Sequence, residues 1–320
     1  MWKNQYKQLM FSEDTTEEST FEGLKLKLEK LANPIYKYCK INEYSLVNLE
    51  RDEVWLSNAA TFNDPYDSAL TIGSRERHDN ENKSDLYERF SKIFDKHATD
   101  VERLMDGYSI EDGLRRLLES LPGFRGDSEM VHVAIEKYLK ETDSLFEEYS
   151  SDIANLYQKR TFASCFSEDP DSMLMWSHYA DNHQGMVLKY DFLNLDFETQ
   201  RDVFIGLNPV IYTEDLINLE EHKGVRDKIS IATLAAISKS KEWSYEKEWR
   251  LIIHKNSSEK GIALKVIKPS CIILGARVSQ VHKIMLSLEA KKKQIPIKQL
   301  KLDKTKYHLS VVDFNDFDLA

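Results

Sequence analysis

The sequence predicts an α+β fold in which a mixed or antiparallel sheet is split around a large helical insertion. Strand-like alternation occurs in two blocks, one over residues 34–57 and one from Thr161 onward. Between them, from about residue 76 to 160, apolar positions recur at three-to-four spacing, the period of amphipathic helices. Strands and helices interleave irregularly, without the βαβ beat of a doubly wound parallel sheet.

The elements follow in order. Residues 11–22, FSEDTTEESTFE, are polar and acidic with little periodicity, so the N-terminal stretch is expected to be loose or weakly helical. Ile35–Cys39 alternates as a strand, 44–49 reads as a short helix and 54–57 as a second strand. Phe62-Asn63-Asp64-Pro65-Tyr66-Asp67 has the composition of an Asx-Pro turn. In the insertion, Leu86, Phe90, Ile93 and Phe94 mark one helix face, and Leu121-Pro122-Gly123 breaks the pattern. Thr161–Ser167 returns to strand, followed by a short helix over 172–179 and a strand over 185–190. After Val210-Ile211-Tyr212, a helix is expected over 225–240 and a strand over Glu248–His254. Strands near 263–267, 271–274, 297 and 309–312 surround a helix over Gln280–Lys293. The expected partition is a polar or helical segment at 1–33 and a single α+β domain at 34–320, with the insertion at about 76–160.

Composition bounds the function. The chain has 320 residues with 44 Lys and Arg against 54 Asp and Glu, a net charge of −10, which excludes a strongly basic nucleic-acid coat. Its 41% hydrophobic content fills a sizeable core. No apolar run approaches the roughly 20 residues that span a bilayer, and the first residues lack a signal-peptide core. A cytoplasmic protein with no membrane partner is expected. Cys39, Cys165 and Cys271 form no CxxC pair and read as buried thiols in apolar strands. Walker A, GxGxxG, HExxH and GxSxG patterns are missing and only 11 glycines are present, which disfavours P-loop, Rossmann, zincin and serine-hydrolase chemistry.

Three clusters remain. In Tyr245-Glu246-Lys247-Glu248-Trp249-Arg250, alternation puts Glu246, Glu248 and Arg250 on one strand face. Like charges at that distance raise at least one carboxyl pKa; a structural Glu–Arg pair at a strand edge is the alternative. Met175-Trp176-Ser177-His178-Tyr179, with His183 and Gly185, is dense in side chains that stack and hydrogen-bond. His178 and His183 are five apart, a poor spacing for a shared metal on a helix, and structural histidines are the alternative. Tyr36-Lys37-Tyr38, with Ser57 and the Asn63 turn, could hold an anionic aromatic ligand such as a nucleotide, or be a core strand with a snorkelling Lys.

Together, FNDPxD, MWSHYxxxHxG and YExEWR, with Tyr36-Lys37-Tyr38, resemble the signature of a bacterial family of domains of unknown function. Its members are scattered through mobile and defence-associated loci, and an abortive-infection family resembles them. The likeness runs in order over about residues 34–275. That family is distantly similar to the ADP-ribosyltransferase superfamily. The resemblance implies a sheet like that core, NAD as substrate and no metal. It implies Lys37 or Tyr38 at the first strand position, Ser57 at the second and Glu248 at the third, although the first strand departs from the commoner pattern in having no His. It further implies that Glu248 stabilises an oxocarbenium-like state and that Glu246 activates the acceptor. Trp176 and Tyr179 would stack on base or nicotinamide beside His178, and Asn63 and Arg250 would contact ribose or phosphate.

The function expected is transfer of ADP-ribose from NAD to a protein or nucleic-acid acceptor, or NAD hydrolysis, in anti-phage defence or a toxin system, with an inhibitor or defence-system partner. Two alternatives stand beside it. One is a metal-dependent nuclease using Asp64, Asp67, His178 and Glu248. The other is a non-catalytic nucleic-acid-sensing module, suggested by eight Lys against Glu289 and Asp303 between Lys283 and Lys306.

Overall fold

The structure, a computed structural model, describes residues 2–73, 79, 83–194, 196–222, 224–225 and 227–314. The expected start of the insertion, at about 76, lies outside the described residues. In chain order the elements are α1 (Trp2–Phe11), α2 (Glu17–Lys30), β1 (Ile35–Cys39), α3 (Glu43–Arg51), β2 (Glu53–Asn58) and β3 (Leu70–Thr71). Helices α4 (Lys83–Ile93), α5 (Ala98–Met105), α6 (Ile110–Glu119) and α7 (Ser128–Arg160) follow, then β4 (Thr161–Ser167), α8 (Met173–Tyr179), β5 (Met186–Tyr190) and α9 (Phe197–Gly206). The remainder comprises β6 (Leu207–Pro209), β7 (Ile211–Thr213), β8 (Ile217–Asn218), α10 (Lys228–Ile237), β9 (Ser238–Ser240), β10 (Glu248–His254), β11 (Gly261–Lys265), β12 (Cys271–Leu274), α11 (Gln280–Lys293), β13 (Ile297–Leu302) and β14 (Leu309–Asp313). The chain divides into two compact units, residues 1–69 with 157–217 and 224–320, and residues 70–156 with 218–223.

The first unit is α+β. Its ten-stranded sheet has the order β11-β2-β4-β1-β5-β12-β13-β14, with β10 also on β4 and β6 on β10. The pairings are antiparallel except β12–β13. Alternation fills the core from one face: Phe162, Phe166, Leu188, Tyr190, Trp249, Leu251, Ile272 and Leu274 are all buried in one cluster.

One irregularity of this sheet makes the site. Strand β4 pairs along its whole length with β10, from Ser167↔Glu248 to Thr161↔His254. Along its other edge it meets β2 only at Phe162 and Ala163, and β1 only at Ser167. Residues 164–166 therefore have no strand beside them on that edge among the described residues, and the sheet opens there.

The N-terminal stretch, expected to be loose or weakly helical, forms the helices α1 and α2. Thr16 and Ser19 form a reciprocal capping box that starts α2. Tyr6 is buried and donates to Asn208 Oδ1 at 2.6 Å, and the Trp2 ring stacks on Trp249 with centroids 6.1 Å apart. Lys27 is buried at the C-terminus of α9, donating to the carbonyls of Phe204 (2.9 Å) and Ile205 (3.3 Å). Burial lowers its pKa to about 7. The acidic composition concealed these buried positions because they are few and far apart in sequence.

Helix α10 is shorter than the periodicity of 225–240 suggested. Asp227 caps its start by accepting from Ser230 N at 2.8 Å. Its end comes early because Ser238–Ser240 pairs in parallel with Ile211–Thr213, so tertiary pairing overrides local helix preference.

The second unit is helical. Leu86, Phe90, Val101, Met105, Leu117, Val131 and Ile135 form its core. Ile93, grouped with Leu86 and Phe90 by spacing, is 65% exposed. The break at residues 121–123 is a turn of 3-10 helix, Pro122–Phe124. Among the described residues, no helix is long and apolar enough to cross a membrane.

Candidate functional site

The opening beside residues 164–166 is a cleft of ≈ 190 Å³, lined in part by Tyr36, Lys37, Ser57, Phe62, Tyr179 and Glu248. Lys37 donates to Ser164 Oγ on the unpaired stretch of β4 at 2.6 Å, and its ammonium lies 5.4 Å from the Phe166 ring centre. No carboxylate among the described residues pairs with Lys37.

The cleft floor is a buried ion network. Arg250 reaches Asp67 with two bonds, Nη1 to Oδ1 at 2.6 Å and Nη2 to Oδ2 at 2.7 Å, and donates from Nε to Glu248 Oε1 at 2.7 Å. A further Nη1 bond satisfies the Ala236 carbonyl of α10 at 2.7 Å. Lys239 from β9 donates to Glu248 Oε2 at 2.9 Å and also to Glu246 Oε2. The Tyr179 hydroxyl donates to Glu246 Oε1 at 2.6 Å. Asp67, Lys239, Glu246, Glu248 and Arg250 are all buried.

The two glutamates reach this network by different routes. Glu248 and Arg250 alternate on β10, facing away from the core occupied by Trp249 and Leu251. Glu246 is not on the strand, contrary to the alternation read from sequence. It ends a 3-10 helix, Lys241–Glu246, and Lys247 then adopts left-handed backbone at φ 45°. That turn returns the Glu246 carboxylate to the face of Glu248.

The network separates the carboxyl groups electrostatically. Burial alone would raise Glu248, but Arg250 and then Lys239 outweigh it and hold its carboxyl far below the usual range. Glu246 moves the other way: burial, then the neighbouring Glu248 charge, raise it against the pull of Lys239. Tyr179 is pushed up by burial and by Glu246. Cys165, opposite Arg250 in the β4–β10 register, is pushed up by burial and by Glu248, so the thiol stays protonated. Cys39 and Cys165 are only partly buried, and Cys271 alone fits the expectation of a fully buried thiol.

The Met175–Gly185 motif divides into a site residue and a scaffold. Trp176 is buried, bonds the Pro170 carbonyl through Nε1 at 2.8 Å and packs edge-on to Tyr38. Its indole supports the wall and does not line the cleft. His178 is exposed and also lies outside the lining. After α8, Asp181, Asn182 and His183 take consecutive left-handed conformations, at φ 50°, 53° and 69°. Gly185 follows because a Cβ there would lie 2.3 Å from the Cys39 carbonyl oxygen.

Of the residues singled out in sequence, Lys37, Tyr38, Ser57, Asn63, Tyr179, Glu246, Glu248 and Arg250 meet at the cleft, and Trp176 and His178 do not line it. Tyr38 is itself tied down, donating to the Asp169 carbonyl at 2.7 Å. Lys239 escaped sequence reading, since nothing in Ser238-Lys239-Ser240 marks a lysine as buried. Asp67 entered through the turn motif and as a metal ligand of the nuclease alternative, whereas here its carboxylate is taken up by Arg250. Asp64 accepts from Tyr66 N at 2.9 Å within the turn. Among the described residues, no group of three or more His, Cys, Asp or Glu is placed to hold a metal ion.

The stretch carrying most of this network has a counterpart elsewhere. Residues 175–251 match the family model described as "Protein of unknown function (DUF2971)". No curated protein and no solved structure matches the chain. The matched stretch runs from α8 into β10 and so contains Tyr179, Lys239, Glu246, Glu248 and Arg250. It leaves out β1, β2 and the Asp67 turn, which supply the opposite wall.

Proposed function

We propose that this cleft breaks the N-glycosidic bond of NAD and transfers the ADP-ribosyl group to a macromolecular acceptor, or to water. The observation that carries the reading is the charge balance of the floor. Three carboxylates, Asp67, Glu246 and Glu248, face two cations, Lys239 and Arg250, leaving 3 − 2 = 1 negative charge in the buried network, while Lys37, a further cation of the cleft, is held apart on Ser164. Burial and then that excess raise Glu246, and a proton or a cationic ligand relieves the excess. The nicotinamide ring of NAD and the oxocarbenium-like ribose formed as it leaves are both cationic, and Tyr36, Phe62 and Tyr179 give such a group aromatic walls.

In the reaction, the bond between ribose C1′ and the nicotinamide nitrogen breaks, and its electron pair leaves with nicotinamide, which becomes neutral. Glu248, held ionised by Lys239 and Arg250, stabilises the positive charge on the ribose. The acceptor O–H or N–H forms the new bond to C1′ and gives its proton to Glu246, whose raised pKa suits proton capture. Tyr179 and Lys239 orient that carboxylate. A setting in bacterial anti-phage defence or a toxin system is part of this proposal and rests on the motif resemblance alone.

The test is purified protein with labelled NAD, with and without total RNA and cell extract, comparing wild type with Glu248→Gln. Label on a macromolecule with wild type alone supports transfer and identifies the acceptor class; nicotinamide release alone supports hydrolysis. Neither product from wild type would overturn the reading.

A further inference from the structure

Beside the cleft lies a second cavity of ≈ 660 Å³, lined by residues of β1, α3, β2 and β5 and by residues next to them. The two share Lys37, Trp55 and Ser57 in their linings. At ≈ 190 Å³ the first cavity accommodates a ring and its ribose but not a dinucleotide. The larger cavity presents Lys40, Asn42, Tyr44, Asn48 and the acidic Glu53. Lys40 has no ion-pair partner among the described residues. The Ser45 amide in the first turn of α3 is already used, because Asn42 Oδ1 accepts from it at 2.9 Å, and Lys37 and Lys40 are the cations of the lining.

Trp55 is built as a platform. It points outward from β2 at 43% exposure while Val54 and Leu56 are buried. Its indole rests on Gly261 of β11, where a Cβ would come within 2.4 Å of ring atoms. One face of the ring is thus backed by the neighbouring strand. A flat exposed aromatic beside two unpaired lysines is the arrangement that holds a nucleobase and its phosphate.

We infer that this second cavity binds a nucleoside phosphate, with the phosphate at Lys37 and Lys40 and the base against Trp55. The source we assign is the distal nucleotide of the dinucleotide cleaved next door; that assignment, but not the nucleotide chemistry, rests on the NAD reading above.

Calorimetric titration of the full chain with adenosine 5′-monophosphate and with adenosine tests it. The monophosphate is expected to bind about ten-fold more tightly, the value of one charge-assisted contact of about 1.4 kcal/mol. Lys37→Gln should abolish that preference and Lys37→Arg keep it. Gly261→Ala, which disturbs the platform from beneath, should weaken both ligands, with circular dichroism confirming the fold. Mutual exclusion of the monophosphate and NAD identifies the donor's own second nucleotide; simultaneous binding identifies a separate nucleotide and overturns the assigned source. No binding at millimolar concentration, or binding indifferent to Lys37→Gln and Gly261→Ala, overturns the site. Monophosphate binding without NAD cleavage would sink the NAD reading and leave the nucleotide site standing; cleavage with a KM unmoved by these variants would do the reverse.

Discussion

Arg250 and Asp67 form a two-pronged pair, at 2.6 and 2.7 Å, between positions 183 residues apart. The guanidinium is fully buried and also serves Glu248 and the Ala236 carbonyl. One side chain therefore ties the Asn63–Asp67 turn, β10 and the end of α10 together beneath the cleft.

Asp67→Ala leaves that fully buried guanidinium short of its two-pronged partner. It is expected to destabilise the protein by about 3–5 kcal/mol, the usual consequence of removing one member of a buried pair. Asp67→Asn, which keeps an acceptor, should cost less. Urea midpoints of the two variants check the order.

The two glutamates should affect stability against pH with opposite signs. Glu248 is lowered on folding, so its contribution is full above the unfolded carboxyl value of about 4.3 and is lost as pH falls below it. Glu246 is raised, so the folded state holds its proton longer and stability falls as pH rises from about 4.3 through the folded value. Relative to wild type, Glu248→Gln should flatten the acid limb below that point, and Glu246→Gln should remove the decline above it. Denaturant midpoints from pH 3 to 7 decide it.

His254 supplies a separate pH window. Its ring lies between Thr161 Oγ1 at 3.2 Å and Thr233 Oγ1 at 2.9 Å, and burial lowers its pKa to about 4. The unfolded imidazole titrates near 6.5, so the stability from keeping it neutral is full above that pH and is lost as pH falls toward 4. The imidazole proton signals should show the ring neutral in the folded protein at pH 5, and His254→Gln should lessen the loss of stability between pH 6.5 and 4.

Gly185→Ala should be costly without touching the cleft. The new methyl carbon would meet the Cys39 carbonyl oxygen at 2.3 Å and the Ala180 carbonyl oxygen at 2.8 Å, and backbone atoms cannot swing aside as side chains do. A loss of about 3 kcal/mol, at the upper end for overpacking, is expected in thermal or urea unfolding.

The ion pairs around the C-terminal lysines bear on nucleic-acid binding. Lys292 pairs with Glu50 at 2.7 Å, Lys293 with Asp52 at 2.6 Å and Lys298 with Asp313 at 3.3 Å. Much of the local positive charge counted in sequence is thus met by acids from α3, the turn after it and β14. Charge reversal at Lys292, whose pair with Glu50 is exposed, should lower stability only slightly, and at Lys293, whose side chain is nearly buried against Asp52, by more. A gel shift at low salt, compared with wild type, reads any phosphate contact directly.

Features written in neighbouring residues were legible in the chain alone. Thr161–Ser167, Glu248–His254 and Gln280–Lys293 have the bounds that alternation and helical spacing predict, because a strand's two faces and a helix's stripe are local periodicities. Glu248 and Arg250 shared a face for the same reason. The long-range arrangement of the strands puts Lys239 between Glu246 and Glu248, sets Asp67 on Arg250 and leaves residues 164–166 of β4 open. These depend on which strands pair and where pairing stops. Pairing is settled by burial of the whole core and by loop closure over many residues, and no window of sequence contains it.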